Sequence, residues 1–372
     1  MKTLLLVFGT RPEAIKMCPL VNELTSRGTF KVVVCVTGQH RTMLHRVLDA
    51  FGVTPDFDLA IMQEGQTLSH ITANVLRGMG GVLEQVKPHG VLVHGDTSTA
   101  FSAALACFYS KTPVCHVEAG LRTQDIYSPY PEEFNRQAIG LVAKYHFAPT
   151  DTARRNLLTE GKAPDAVFVT GNTAIDALRT TVRPDYTHPH LEWAADSRLI
   201  MITAHRRENL GQPMRSAFRA IRRVIEQHAD VKAVYPVHLN PAVRQIARAE
   251  LGGCHRIRII EPLDVLDFHN FLARSYLVLT DSGGIQEEAP ALGKPVLVLR
   301  DTTERPEGVT AGTLKLTGTD EAEVYQSFTA LLDDGAAYAA MARAVNPYGD
   351  GQACRRIADI LEERLGDHAG NV

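Results

Sequence analysis

Short apolar runs recur along the chain, each closed by a polar, often glycine-bearing turn and followed by a longer segment with helical spacing. The first is Lys2–Phe8, which ends in Gly9-Thr10-Arg11-Pro12-Glu13 and leads into a helix predicted from about Ala14 to Ser26. Lys31–Thr37 ends in Gly38-Gln39-His40. Val91–His94 runs into Gly95-Asp96, and Pro113–Val117 runs into Glu118-Ala119-Gly120. Lys144–Ala148 and Ala166–Val169 are the last strands predicted in this half, and helical patterns over Thr67–Gln85 and Thr97–Tyr109 fill the gaps. Apolar runs of this length between turn signals are strands buried on both faces. Their alternation with helices predicts a parallel, doubly wound sheet.

The rhythm lapses between Thr180 and Ser197, around Pro184 and Pro189, and then resumes. Leu199–Thr203, Val231–Val237, Arg256–Ile260, Tyr276–Thr280 and Pro295–Leu299 read as strands of a second sheet. The predicted fold is α/β, with two Rossmann-like domains facing across a cleft. Residues 1–172 form the N-terminal domain, 173–350 the C-terminal domain, and 351–372 a helix crossing back to the first. In such sheets ligands sit outside the carboxyl ends of the strands, so the turns carry the candidate chemistry.

The most informative turn is Thr280-Asp281-Ser282-Gly283-Gly284-Ile285-Gln286-Glu287-Glu288. Asp281 or Ser282 is expected to cap a helix beginning near Ile285. The two glycines let a ligand approach the backbone, and the unpaired N–H groups of a helix start suit an anion. Glu288, one turn in, is placed to accept hydrogen bonds from hydroxyl groups. The alternative is an ordinary strand–turn–helix connection.

Composition narrows the class. The 372 residues are 45% hydrophobic and 22% charged, which fits a globular protein with one or two domains. A net charge of −3 argues against a general nucleic-acid surface and leaves room for a local anion site. The six cysteines make no C-x-x-C pair and several lie in apolar runs, so reduced, buried thiols and a cytoplasmic location are expected. The chain enters a strand directly, without the pattern of a signal peptide, and no apolar run is long enough to span a membrane.

Asp96 and Glu118 follow strands that, as neighbours, lie about 4.8 Å apart. Two close carboxylates repel, which raises one pKa and readies it for proton transfer; alternatively Asp96 caps the helix starting near Thr97. Glu132 and Arg136 are four apart in a segment that reads as a helix start, Pro131-Glu132-Glu133-Phe134-Asn135-Arg136, and share a face. The plainer reading of that pair is a surface ion pair. His205-Arg206-Arg207 after a strand suits a phosphate or diphosphate, unless it is a solvated basic loop. The pairs His94/Asp96 and His116/Glu118 have i, i+2 spacing, but neither completes a zinc or two-metal signature, so no catalytic metal is expected.

Together these stretches resemble the bacterial non-hydrolysing UDP-N-acetylglucosamine 2-epimerases. The matching segments are 8–14 (FGTRPEA), 94–97 (HGDT), 116–123 (HVEAGLRT), 131–136 (PEEFNR), 170–173 (TGNT), 205–209 (HRREN), 235–241 (YPVHLNP), 280–288 (TDSGGIQEE) and 300–307 (RDTTERPE). The resemblance runs through nearly the whole chain in order. It implies a glycosyltransferase-B type fold with a UDP-binding C-terminal domain, usually a homodimer, and no nicotinamide and no catalytic metal. It places acid–base and active-site roles on Asp96, Glu118, Glu132 and His205. Arg11, Lys16, Arg136, His205, Ser282, Gly283, Gly284 and Arg305 would hold substrate, chiefly its diphosphate; Glu288 would take the ribose hydroxyls and Phe268 would lie near the uracil. Many members also bind a second UDP-N-acetylglucosamine as activator, and Gln39, Gln66, Arg206 and His238 resemble the matching positions. Gly65 stands where some members carry a basic residue. The implied reaction inverts C2 by eliminating UDP and re-adding it to 2-acetamidoglucal, in the service of cell-surface polysaccharide synthesis. A hydrolysing 2-epimerase and a glycosyltransferase of the same fold are the alternatives.

Overall fold

The computed structural model describes residues 1–38, 41–61 and 65–366. The chain divides into two units, Met1–Thr180 with the chain from Tyr348 onward, and Thr181–Pro347. Each is α/β.

Among the described residues the first unit carries a seven-stranded sheet. Its strands are β1 (Thr3–Phe8), β2 (Lys31–Val36), β3 (Phe57–Asp58), β4 (Gly90–His94), β5 (Val114–Val117), β6 (Ala143–Ala148) and β7 (Val167–Val169). They lie in the order β3-β2-β1-β4-β5-β6-β7, and the pairs are parallel. Leu4 to Phe8 are all fully buried, because helices cover both faces of this sheet. On one face Leu5, Val7, Val91 and Val93 pack with Val75 and Met79 of helix Leu68–Val86 and Ala103 of helix Ser98–Tyr109. Helix Ala353–Leu365 belongs to this unit and lies against helix Arg11–Arg27. Arg27 reaches Asp359 at 2.7 Å and Glu362 at 3.0 Å. Asp176 receives the N–H groups of Ala353 and Cys354 at 3.1 and 2.9 Å, in place of a local cap.

The second unit has six strands among the described residues: β8 (Arg198–Thr203), β9 (Val231–Pro236), β10 (Ile257–Ile260), β11 (Leu277–Thr280), β12 (Val296–Val298) and β13 (Leu314–Leu316). Their order is β10-β9-β8-β11-β12-β13, again parallel. Successive residues of β8 face opposite sides: Ile200 and Ile202 pack with Phe218 and Ile221, Leu199 and Met201 with Phe271 and Leu272.

Both strand orders reverse direction once. In the first unit the chain moves outward from β1 through β2 to β3 and then returns to place β4 on the other side of β1. In the second it does the same from β8, returning with β11. A crevice opens at such a switch point because the flanking connections leave in opposite directions. The turns after β1 and β4, and those after β8 and β11, are therefore the positions where this fold offers a ligand site.

No helix among the described residues is long and apolar enough to cross a membrane. The six cysteines are unpaired and buried.

Candidate functional site

At the first switch point the Gly9-Thr10 turn is held by one carboxylate. Glu13 Oε2 accepts the N–H groups of Gly9 and Thr10 at 3.0 and 2.8 Å. Thr10 Oγ1 in return accepts the Glu13 N–H at 3.4 Å, forming a capping box, so the helix starts at Arg11 and not at Ala14. Glu13 Oε1 also receives the Thr97 hydroxyl at 2.7 Å, which ties the turn after β1 to the turn after β4. A side chain at Gly9 would meet Thr37 Oγ1 at 2.0 Å, so glycine alone lets this turn pack. Thr97 caps the helix after β4, receiving the Ala100 N–H at 3.0 Å. That leaves the Asp96 side chain for something other than a cap.

Asp96 is bound by Arg136, whose Nη2 is 3.0 Å from Oδ2. Arg136 also reaches the buried Glu133 at 3.5 Å. The pairing of Arg136 with Glu132 expected from their spacing is not what forms: Arg136 Nε meets only the Glu132 carbonyl, at 3.4 Å. Burial pushes the Asp96 carboxyl above its ordinary range; Arg136 draws it down, and the charges of Glu118 and Glu132 push it up again.

Glu118 sits one residue beyond β5 with φ +60°, a left-handed conformation that costs a residue with a side chain of order 1 kcal/mol or more. Its Oε2 gathers donors: Lys16 Nζ, Asn172 Nδ2 at 2.8 Å and, at 3.6 Å, His94 Nε2. The Lys16 and Asn172 hydrogen bonds favour the charged form; at 3.6 Å the His94 nitrogen is beyond one. His116 stands behind and donates Nε2–H to the Gly95 carbonyl at 2.7 Å, since a carbonyl only accepts. Burial drives its pKa down to about 3, so it is a neutral brace for the β4 turn. No group of three or more side chains able to hold a metal ion occurs among the described residues.

At the second switch point the expected cap at residue 281 or 282 does not form. The helix Ile285–Ala291 begins after Gly284 without a side-chain cap. Asp281 is instead wholly buried and turns to the neighbouring strand, accepting the N–H groups of His205 and Arg206 at 2.8 and 2.9 Å. The His205 ring stacks on His238, centroids 5.2 Å apart. Burial lowers the His205 pKa; Asp281 opposes this, and His238 and Arg206 reinforce it. Arg206 donates Nε–H to the Asp281 carbonyl at 3.3 Å, and its guanidinium lies beside Gly283. Ser282, Gly283 and Gly284 are half-buried at the helix start. Arg305 is paired with buried Glu287, and Thr303 joins the Arg305 turn to Gln286, accepting the Arg305 N–H at 3.0 Å and donating to the Gln286 side-chain oxygen at 2.6 Å. Glu288 lies 3.8 Å from Nε2 of buried His269, whose Nδ1 is 2.7 Å from the Thr181 hydroxyl. Phe268, next along that helix, packs partly buried against the core.

The expected residues therefore gather in two sets. Arg11, Lys16, Asp96, Glu118, Glu132 and Arg136 collect at the first edge; His205, Arg206, His238, Phe268, Ser282, Gly283, Gly284, Glu288 and Arg305 belong to the second unit. Gln66 lies in the first unit, just before helix Leu68–Val86, and Gln39 lies outside the described residues. Sequence reasoning passed over Glu13, Asn172, Asp281 as an acceptor, and His269. The Thr10-x-x-Glu13 box was the available signal for the first.

Two Rossmann-like units in one chain, each with a polar cluster at its switch point, define the glycosyltransferase-B type class. Within it, the family model for UDP-N-acetylglucosamine 2-epimerase matches residues 22–362. A UDP-N-acetylglucosamine 2-epimerase of Bacillus subtilis is 60% identical over 355 residues, covering 95% of this chain and 93% of the relative. One crystal structure of a UDP-N-acetylglucosamine 2-epimerase superposes with a TM-score of 0.91 at 55% identity, covering 100% of both chains. That of the Neisseria meningitidis UDP-GlcNAc 2-epimerase bound to UDP-GlcNAc gives 0.89 at 46% identity, covering 98% of this chain and 100% of the other. The chain belongs to the UDP-N-acetylglucosamine 2-epimerase family, as its motifs anticipate.

Proposed function

We propose that the protein is a non-hydrolysing UDP-N-acetylglucosamine 2-epimerase, interconverting UDP-N-acetylglucosamine and UDP-N-acetylmannosamine. The observation that carries the chemistry is the contrast between two carboxylates at the first switch point. Glu118 is surrounded by donors that favour its charged form, whereas burial holds Asp96 toward its protonated form. A pair separated in this way can remove one proton and supply another.

The proton on C2 of the sugar has no adjacent carbonyl and is not acidic. A base takes it while the C1–O bond breaks, the electron pair of the C–H bond forming the C1–C2 double bond of 2-acetamidoglucal and the C1–O pair leaving with UDP. UDP then adds back to C1 as a proton reaches C2 from the other face. Asp96, Glu118 and Glu132 are the candidates for these transfers, with His205 as a donor to the departing diphosphate. Negative charge grows on that diphosphate, and the groups proposed to stabilise it are the main-chain N–H groups near Ser282-Gly283-Gly284 and the cations Arg11, Lys16, Arg136 and Arg305. Glu288 takes the ribose and Phe268 the uracil side. Gln39, Gln66, Arg206 and His238 are proposed for a second UDP-N-acetylglucosamine acting as activator, in a cytoplasmic homodimer.

The test is incubation with UDP-N-acetylglucosamine alone in heavy water, with no added NAD, followed by NMR. UDP-N-acetylmannosamine carrying deuterium at C2 supports the proposal. Free N-acetylmannosamine with UDP points to a hydrolysing enzyme, and unchanged substrate to a glycosyltransferase.

A further inference from the structure

Asp281 has no part in the substrate grip just described, yet its carboxylate accepts four hydrogen bonds at the second switch point. It is completely buried. Oδ2 accepts from the main-chain N–H groups of His205 at 2.8 Å and Arg206 at 2.9 Å, and from Asn209 Nδ2 at 3.3 Å; Oδ1 accepts a second, longer bond from His205 N–H at 3.1 Å. Asn209 passes the connection on, donating to the Leu299 carbonyl at 2.9 Å, and the Asp281 N–H bonds the Thr203 carbonyl at 3.1 Å. One carboxylate thus ties together the carboxyl ends of β8, β11 and β12. Tyr235 adds β9 by donating its hydroxyl to the Ala204 carbonyl at 2.5 Å.

All of these donors are neutral. A buried carboxylate compensated only by dipoles favours positive charge nearby. Arg206 gives its Nε to the Asp281 carbonyl and not to the carboxylate. The group that faces the carboxylate is the His205 ring, with Nδ1 3.6 Å from Oδ1. That separation is beyond a hydrogen bond but close for charge. It orients the imidazole: a lone pair on Nδ1 would point at the negative oxygen, whereas an N–H points its positive end there. Three charged or titratable groups face this ring. They are Asp281 after β11, His238 stacked on it after β9, and Arg206 on its own loop. Asp281 alone among them favours the imidazolium.

We propose that Asp281 is a positioning residue for His205, keeping its Nδ1 protonated so that Nε2 is the ring atom presented to substrate. This rests on the reading of His205 as a donor to the departing diphosphate: with Nδ1–H held toward Asp281, the proton that the imidazolium gives up is the one on Nε2. The same carboxylate fixes the 204–206 loop, so the ring and the Arg206 N–H are in place before a diphosphate arrives.

The experiment is a pH titration of the histidine ring signals in the full-length protein by proton–nitrogen NMR, with the His205 resonances assigned by their disappearance in His205→Gln. The neutral wild-type ring should be the Nδ1–H tautomer. In Asp281→Asn the His205 midpoint should move to lower pH, the alkaline side of the kcat profile should move down with it, because a donor works only while protonated, and the Kd for UDP should rise about tenfold, since donors are left unpaired. Asp281→Glu should restore part of the midpoint shift. A wild-type Nε2–H tautomer overturns the proposal. So does a folded Asp281→Asn protein in which stability drops while the His205 midpoint stays put, for that is a structural role only. If Asp281→Asn does not fold, the wild-type tautomer decides alone. A wild-type protein that neither binds UDP nor epimerises would defeat the functional reading while leaving the tautomer measurement intact.

Discussion

Replacing Glu118 with glutamine removes a charge and keeps the shape, so it separates the catalytic claim from the structural one. Losing a positioned general base costs typically 10²- to 10⁴-fold in rate, or about 3–5 kcal/mol of transition-state stabilisation. The structural cost follows from what surrounds Oε2. Lys16 and Glu118 are 14% and 10% exposed at their side chains, so the change leaves an ammonium with its main counter-charge gone. Removing one partner of a buried pair costs about 3–5 kcal/mol. Here a glutamine oxygen still accepts from one donor and water reaches both groups, so about 2 kcal/mol is expected. For a unit of roughly 200 residues that lowers Tm by about 4–8 °C. The assays are the initial rate of UDP-N-acetylmannosamine formation, the Kd for UDP by calorimetry, and thermal melting by circular dichroism. Lys16→Met should cost similar stability, and the double variant should cost less than the sum, because the ammonium that Glu118 neutralised is no longer there. A Glu118→Gln protein that turns over within tenfold of wild type refutes the assignment. A fall in UDP affinity matching the fall in rate would show that Glu118 serves nucleotide binding and not proton transfer.

Asp96→Asn should depress turnover without loss of Tm near neutral pH, because burial holds the folded carboxyl above its unfolded pKa and its ionisation therefore costs stability there; a clear drop in Tm would contradict this. Glu132→Gln should likewise lower the rate of deuterium incorporation at C2, and normal turnover would remove it from the acid–base set. Arg11→Ala deletes a charge-assisted contact worth about 1.5–3 kcal/mol and should weaken UDP binding about 10- to 100-fold by calorimetry; an unchanged affinity would count against its role. Burial lowers His116 to about 3 and His146 to about 4, both below an unfolded value of about 6.5, so their stabilising effect is present above pH 6.5 and lost as the pH falls. Urea melts should lose up to about 2.7 kcal/mol per pH unit between about pH 6 and 4.5 from these two rings, and His146→Gln should lose about half that; a flat profile would mean the rings are not held neutral.

The strands were legible because a parallel sheet covered on both sides needs continuous apolar runs, and β1, β4, β8 and β11 are such runs. Shorter elements were not. β3 is two residues paired only with β2, and β13 is three residues at an edge, too brief for periodicity to register. Helix starts were read late where the signal lay in a side chain reaching backward. Thr10 and Glu13 satisfy the first turn of helix Arg11–Arg27 between them, so the helix gains a turn ahead of its apolar face.

The candidate site was legible as a set of residues but not as a set of partners, and energy explains the difference. Spacing joins Glu132 to Arg136, yet an exposed i, i+4 pair is worth only about 0.2–0.5 kcal/mol. Asp96, forty residues away, is held where burial disfavours its charge, and a carboxylate in that position gains several times more from a guanidinium than an exposed one does. Arg136 goes to the group that needs it most. The same comparison draws Lys16 to Glu118 across 102 residues and the N–H groups of the His205 turn to Asp281 across 76. Local spacing ranks partners by nearness along the chain, whereas the fold ranks them by the cost of leaving a buried charge alone. A motif residue next to a helix start, such as Asp281, is therefore read as a cap until the sheet order reveals which strand end lies beside it.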